Sequence, residues 1–156
     1  MSYYKKLYIK LSINFYLIKY ILLNLGCDNM VEINQIYKCF TCGNIVEVAS
    51  AGAGTLVCCN EEMELLTPEI KEEGGVKHIP VIEKVDEGIS VKLGEVPHPM
   101  DEDHYINFII LTDGEQVYRA NLKPGDEPKA IFKVDGEVSD FKACAYCNVH
   151  GLWPSQ

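Results

Sequence analysis

Cys39-Phe40-Thr41-Cys42 and Cys58-Cys59 crowd four cysteines into one short stretch of a 156-residue chain. No other feature restricts the fold as much. The segment from Glu32 to about Leu66 is too small to bury enough apolar surface alone, because domains below about 40 residues usually need metal, disulfides or a partner chain. Cys39 and Cys42 lie on one tight turn, and Cys58-Cys59 follow a spacer that reads as a hairpin, with turns at Gly43 and at Gly52-Ala53-Gly54. Four sulfurs can then close around one ion. Disulfides fit worse, since adjacent cysteines do not readily pair with each other and seven cysteines is an odd count. Tetrahedral S₄ coordination suits zinc or iron, and the ligands alone do not choose between them. Zinc ribbons use two separated pairs, whereas a C-x-x-C followed by a contiguous C-C constrains one S–metal–S angle.

Charge removes a class of function. A formal net charge of −9 argues against nucleic acid, whose binding needs clustered Lys and Arg. Tightly spaced cysteines fit metal ligation in a reducing compartment, hence a cytoplasmic protein, better than a secreted disulfide framework. Residues 1–29 differ in composition from the rest, being nearly all Tyr, Lys, Leu, Ile, Asn and Phe. Lys10 and Lys19 interrupt the apolar run, and no small-residue cleavage site follows. The stretch is read as a mis-called start with Met30 opening the chain, the alternative being a membrane or export segment.

Thr67 to Gly75 reads as a linker or exposed loop and divides a cysteine-bearing domain, residues 30–66, from a second domain, residues 67–156. Short alternating or apolar runs then recur at Ile79 to Val85, Ile89 to Val96, Tyr105 to Leu111, Gln116 to Leu122 and Ala130 to Val134. Asp113-Gly114 and Asp135-Gly136 between such runs are hairpin signals, and Pro124-Gly125 marks another turn. No long helical period occurs. The expected fold is all-β: a small metal domain followed by an antiparallel, immunoglobulin-like β-sandwich of about seven strands.

All four histidines fall in this second domain, at His78, His98, His104 and His150, and none lies in an apolar strand run. Singly, each is more often a surface or packed residue than a ligand. The set carries the argument. Cys147 and His150 can bind one ion from a single turn, and His98, with Pro97 and Pro99 on either side, stands on a stiff loop.

Tyr37-Lys38-Cys39 and Gly43-Asn44-Ile45-Val46-Glu47-Val48 around the first cysteine pair resemble desulforedoxin and the amino-terminal domain of desulfoferrodoxin. Lys77-His78-Ile79-Pro80, Val96-Pro97-His98-Pro99-Met100, His104-Tyr105-Ile106, Leu122-Lys123-Pro124-Gly125 and Tyr146-Cys147-Asn148-Val149-His150-Gly151 resemble desulfoferrodoxin and neelaredoxin superoxide reductases, in order and spacing, from about Val31 to Trp153. The resemblance implies iron at both sites. It implies a one-electron Fe(Cys)₄ centre on Cys39, Cys42, Cys58 and Cys59, and a catalytic iron with His78, His98, His104 and His150 around its equator. Cys147 would be the axial thiolate opposite an open position. The implied reaction is one-electron reduction of superoxide to hydrogen peroxide, with rubredoxin or a similar small redox protein as donor and a homodimer as the assembly.

By the same resemblance Lys77 sits on a loop near the open position, where its ammonium attracts the anion and organises water for proton delivery. Many relatives carry a glutamate just before that lysine. Here the residue is Val76, with Glu72 and Glu73 upstream, so the sixth ligand of the oxidised ion is not indicated. Cys144 forms a C-x-x-C with Cys147, but the family's ligand is the cysteine of Cys-Asn-x-His, which leaves Cys144 as a packed or redox-sensitive thiol. The competing functions are a non-catalytic iron–sulfur electron carrier and a structural zinc-binding protein.

Overall fold

The structure, a computed structural model, describes residues 31–70 and 74–156. The readings of residues 1–29 and of Glu72 and Glu73 lie outside the described residues. The chain divides into two compact units, one ending at Leu65 and the other beginning at Leu66.

In the first unit β1 (Ile36–Lys38) pairs antiparallel with β2 (Ile45–Glu47) on one side. On its other side it pairs with β5 (Glu64–Leu65). A separate hairpin joins β3 (Val57–Cys58) to β4 (Glu61–Glu62). Its two-residue turn, Cys59-Asn60, has φ of 52° and 65°, the double positive-φ signature of a type I′ turn. The spacer between Cys42 and Cys58 is therefore not one hairpin, as its glycines imply. It supplies one strand to each of two hairpins, and each cysteine pair sits at a hairpin's turn. Among the described residues of this unit, Ile36, Cys39, Val48 and Met63 are the buried apolar ones, a thin core for strands this short.

The second unit is a β-sandwich. One sheet has the order β10 (Lys129–Phe132), β7 (Gly88–Leu93), β6 (Pro80–Val85). The other has the order β12 (Gly151–Pro154), β11 (Lys142–Cys147), β8 (Ile106–Thr112), β9 (Val117–Asn121). All pairings are antiparallel. The first, second and fifth strands share a sheet, and the seventh, sixth and third share the other with the fourth beside the third, which is an immunoglobulin-like arrangement. Side chains alternate across strands, so Ile89, Val91 and Leu93 face Ile109, Leu111, Ala143 and Ala145 in the core. Cys147 continues the inward set of β11 and is fully buried.

Asp113-Gly114 does lie in a hairpin, and the Asp113 carboxylate accepts from the backbone N–H groups of Gln116 (2.7 Å) and Glu115 (2.9 Å). Those bonds hold its carboxyl below the usual range. Asp135-Gly136 does not join paired strands. It lies between β10 and a 3₁₀ turn, Val138–Asp140, where the chain passes from one sheet to the other. Two strands outside the runs named from sequence, β11 and β12, complete the sandwich. Among the described residues no helix is long and apolar enough to cross a membrane.

Candidate metal centres

The β1–β2 connection carries Cys39 and Cys42 in a loop closed by Cys39 N–H to Asn44 O and Gly43 N–H to Cys39 O, both 2.8 Å. Facing it, the β3–β4 turn carries Cys58 and Cys59. The four Sγ atoms lie within 4.8 Å of one another. Cys42 and Cys58 sulfurs are 3.6 Å apart and those of Cys58 and Cys59 3.9 Å, so neither pair is a disulfide. Sulfurs held at about 2.3 Å from one tetrahedral ion stand about 3.8 Å apart, and the observed spacings bracket that value. Backbone N–H donation from Cys42, above all, brings the Cys39 thiol down to about 7. Side-chain hydrogen bonding with Cys42 first, then with Cys58, pushes Cys59 up to about 12. Raised that far, the Cys59 sulfur keeps its proton at neutral pH unless a cation among the four sulfurs displaces it.

The second cluster is assembled by the sandwich. A one-turn helix, Gly75–His78, presents His78. His98 comes from the loop after β7, and His104 from a turn closed by two backbone bonds between Asp101 and His104. Cys147 ends β11 and His150 stands in the β11–β12 turn. At that point the pairing of β11 with β8 slips, Tyr146 facing Phe108 while Cys147 faces Ile106, so Asn107 is the extra residue of a bulge that aims the strand end.

The five donor atoms lie within 4.8 Å of one another. His78 Nε2 is 2.9 Å from His150 Nδ1 and 3.0 Å from His98 Nε2, while His104 Nε2 is 3.2 Å and Cys147 Sγ 3.4 Å from His150 Nδ1. Neighbouring rings meet nearly edge to face, with centroids 4.6 to 4.8 Å apart, and His78 faces His104 across the group at 6.2 Å. Adjacent nitrogens of a square around an ion at about 2.1 Å stand about 3.0 Å apart.

Hydrogen bonding decides what these contacts are. His78 Nδ1 lies 2.7 Å from Gly74 O and His98 Nδ1 2.5 Å from Pro99 O. A carbonyl only accepts, so each Nδ1 carries the proton and each neutral ring has a bare lone pair at Nε2. Burial lowers His98 to about 4. Burial also lowers His78, opposed by the Gly74 carbonyl, with the charges of His150, His104 and Lys77 adding to the lowering. Both rings are therefore neutral at pH 7, and two lone pairs face each other at 3.0 Å. That approach is repulsive unless a cation lies between them, and the carbonyl partners are those that metal-bound histidines typically have.

Every residue read from the sequence as a ligand falls in one of these two clusters. Lys77 is exposed and adjoins His78, but on the helical turn rather than in an irregular loop. Cys144 does not join the cluster; three residues before Cys147 on one strand, it points to the opposite face of the sheet. Two contributors escaped the sequence reading. Asn148 accepts from Tyr105 N–H (2.9 Å) and donates to Asp103 O (2.8 Å), clipping the turn that holds His104 to the one that holds His150. Trp153, 1% exposed, stacks on His78 with centroids 4.7 Å apart and planes 19° from parallel.

The family model described as Desulfoferrodoxin matches residues 70–156, and that described as Desulfoferrodoxin, N-terminal domain, matches residues 29–66. The chain belongs to the desulfoferrodoxin family. A desulfoferrodoxin homolog of Methanothermobacter thermautotrophicus is 55% identical over 124 residues, covering 80% of this chain and 99% of that one. A superoxide reductase of Pyrococcus abyssi is 35% identical over 102 residues, covering 53% of this chain and 86% of its own. Among solved structures, the superoxide reductase from Treponema pallidum aligns with a TM-score of 0.62 at 23% identity, covering 78% of this chain and 96% of that one, a likeness of fold. The two matched regions each contain one of the two clusters of candidate ligands.

Proposed function

We propose that this member of the desulfoferrodoxin family is a superoxide reductase, using an Fe(His)₄(Cys) centre on His78, His98, His104, His150 and Cys147 and an auxiliary Fe(Cys)₄ centre on Cys39, Cys42, Cys58 and Cys59. The observation that carries the reading is the convergence of four imidazole nitrogens and one buried sulfur on a single point, with two of the nitrogens oriented as bare lone pairs. The Pyrococcus abyssi relative supports superoxide as substrate. Residues 30–66 then form the sulfur-site domain and residues 67–156 the reductase domain.

Held by the imidazoles of His78, His98, His104 and His150 and by the Cys147 thiolate, iron would supply a one-electron reductant made more electron-rich by its sulfur donor. The protein's part is placement. The Gly74 and Pro99 carbonyls fix the tautomers of His78 and His98, and burial of Cys147 keeps its sulfur out of water. A ferrous ion and one thiolate leave about +1 at the site, against a whole-chain charge of −9 that repels superoxide. Lys77, exposed beside His78, offsets that repulsion locally and orders water for the two protons that superoxide needs, with one electron, to become hydrogen peroxide. Rubredoxin or a similar small redox protein returns the electron, in the cytoplasm, and the assembly is a homodimer.

Rapid mixing of the reduced, iron-loaded protein with superoxide tests the reading. Second-order bleaching with one peroxide formed per superoxide is expected, and Cys147→Ser abolishes it. An oxidised protein with charge-transfer bands from the S₄ centre alone would instead indicate an electron carrier, and a colourless zinc form a structural protein.

A further inference from the structure

Trp153 does more than fill space. It pairs with Ala145 across β11 and β12, and Ala145 is an inward residue of β11, as is Cys147 two positions on. Strand alternation thus delivers the indole and the sulfur to the same side of the sheet. The small Ala145 side chain leaves room for the large ring beside it. The indole stacks on a face of His78, with planes 19° apart, while the rings of His98 and His150 meet the same imidazole at 77° and 79° and His104 lies 6.2 Å away. The Gly74 carbonyl holds the ring at Nδ1 but leaves it free to tilt about that bond, and a flat neighbour stops the tilt. Among the described residues Trp153 Nε1 is buried with no hydrogen-bond partner. A buried unsatisfied donor is costly, and a phenyl or aliphatic side chain would not carry it, so what the position gains is the extended plane.

We propose that Trp153 is a positioning residue of the histidine–cysteine centre, holding the plane of His78 so that Nε2 faces the point shared by the five donors. This rests on the reading of those donors as a metal site. The full chain is stripped of metal, reloaded with Fe(II) without oxygen, and compared with Trp153→Phe and Trp153→Leu. Retention of iron by the histidine–cysteine centre, the absorption and electron-paramagnetic-resonance signature of its oxidised form, and Trp153 emission are followed. The leucine variant is expected to hold that iron about 10-fold more weakly with a shifted signature, the S₄ absorption staying unchanged, and phenylalanine restores most of the loss. As the chain's only tryptophan, Trp153 should dim in the wild type in step with filling of that centre. A leucine variant with wild-type retention and signature overturns the proposal. Should that variant not fold, a wild-type emission unmoved by loading, or a phenylalanine variant as impaired as a chain lacking His78, overturns it equally. A wild type that takes no iron at the five donors defeats the metal-site reading itself.

Discussion

Gly94 supports the metal centre without touching it, and Gly94→Ala measures that support. Its φ is +74°, and a Cβ placed there would lie 2.4 Å from Val76 O and 2.5 Å from Lys77 Cα. The same stretch anchors the helical turn, with Gly94 N–H bonded to Ile79 O and Val96 N–H to Val76 O. An L side chain in left-handed backbone costs about 1–2 kcal/mol. The clash adds the cost of overpacking against backbone, about 1–3 kcal/mol, because the turn carrying Lys77 and His78 must retreat by about 1 Å to reach ordinary contact. Gly114→Ala is the control: φ is +95° and nothing lies within 4 Å, so only the backbone cost applies. Thermal unfolding of the iron-loaded full chain, followed by circular dichroism, should place Gly94→Ala below Gly114→Ala by about 5–15 °C. Iron content should fall at the histidine–cysteine centre and not at the S₄ centre. Equal melting points with full iron in both variants would refute the reasoning, since the turn would then tolerate displacement freely.

Lys77→Ala should slow the bimolecular reaction with superoxide by roughly 10-fold and flatten its dependence on ionic strength; stopped-flow rates across a salt series check this, and an unchanged salt dependence counts against steering. In the metal-free chain, His98 is held at about 4 when folded, below its ordinary 6.5. The unfolded state therefore binds the extra proton first, and urea midpoints should be steady above pH 7 and decline as pH falls from about 6.5 toward about 4. Cys42→Ser should remove the S₄ absorption and, because strands of two or three residues lack a core of their own, the ordered amide signals of the first unit; the rate with superoxide should persist.

The sandwich was readable because its strands alternate: Ile89, Val91 and Leu93 announce one buried face before any neighbour is known. The ligands were readable because their motifs are local, each histidine or cysteine flanked by residues that set its own loop. What escaped depends on register. That Trp153 lies over His78 follows from its pairing with Ala145 and from a turn many residues away, and that Asn148 clips two loops follows from a bulge at Asn107. Asp135-Gly136 looks like a hairpin by composition, yet whether its flanking strands pair is decided by the sheets they join. The first unit's strands are too short for any period to show. The choice of Cys147 over Cys144 as ligand rested on resemblance alone, and strand parity now supplies its physical reason.

Cys147 belongs to the interior of the sandwich, while all four imidazoles arrive from connections outside the strands. The centre therefore has one donor anchored at the depth of global unfolding and four anchored at the depth of loop opening. During folding, closure of the sheets would set the sulfur first and leave the imidazoles to gather around it. In the finished protein, ion release would begin at the histidines, so opening of the connections, read out by their amide exchange, rather than melting of the strands, would set the lifetime of the bound metal.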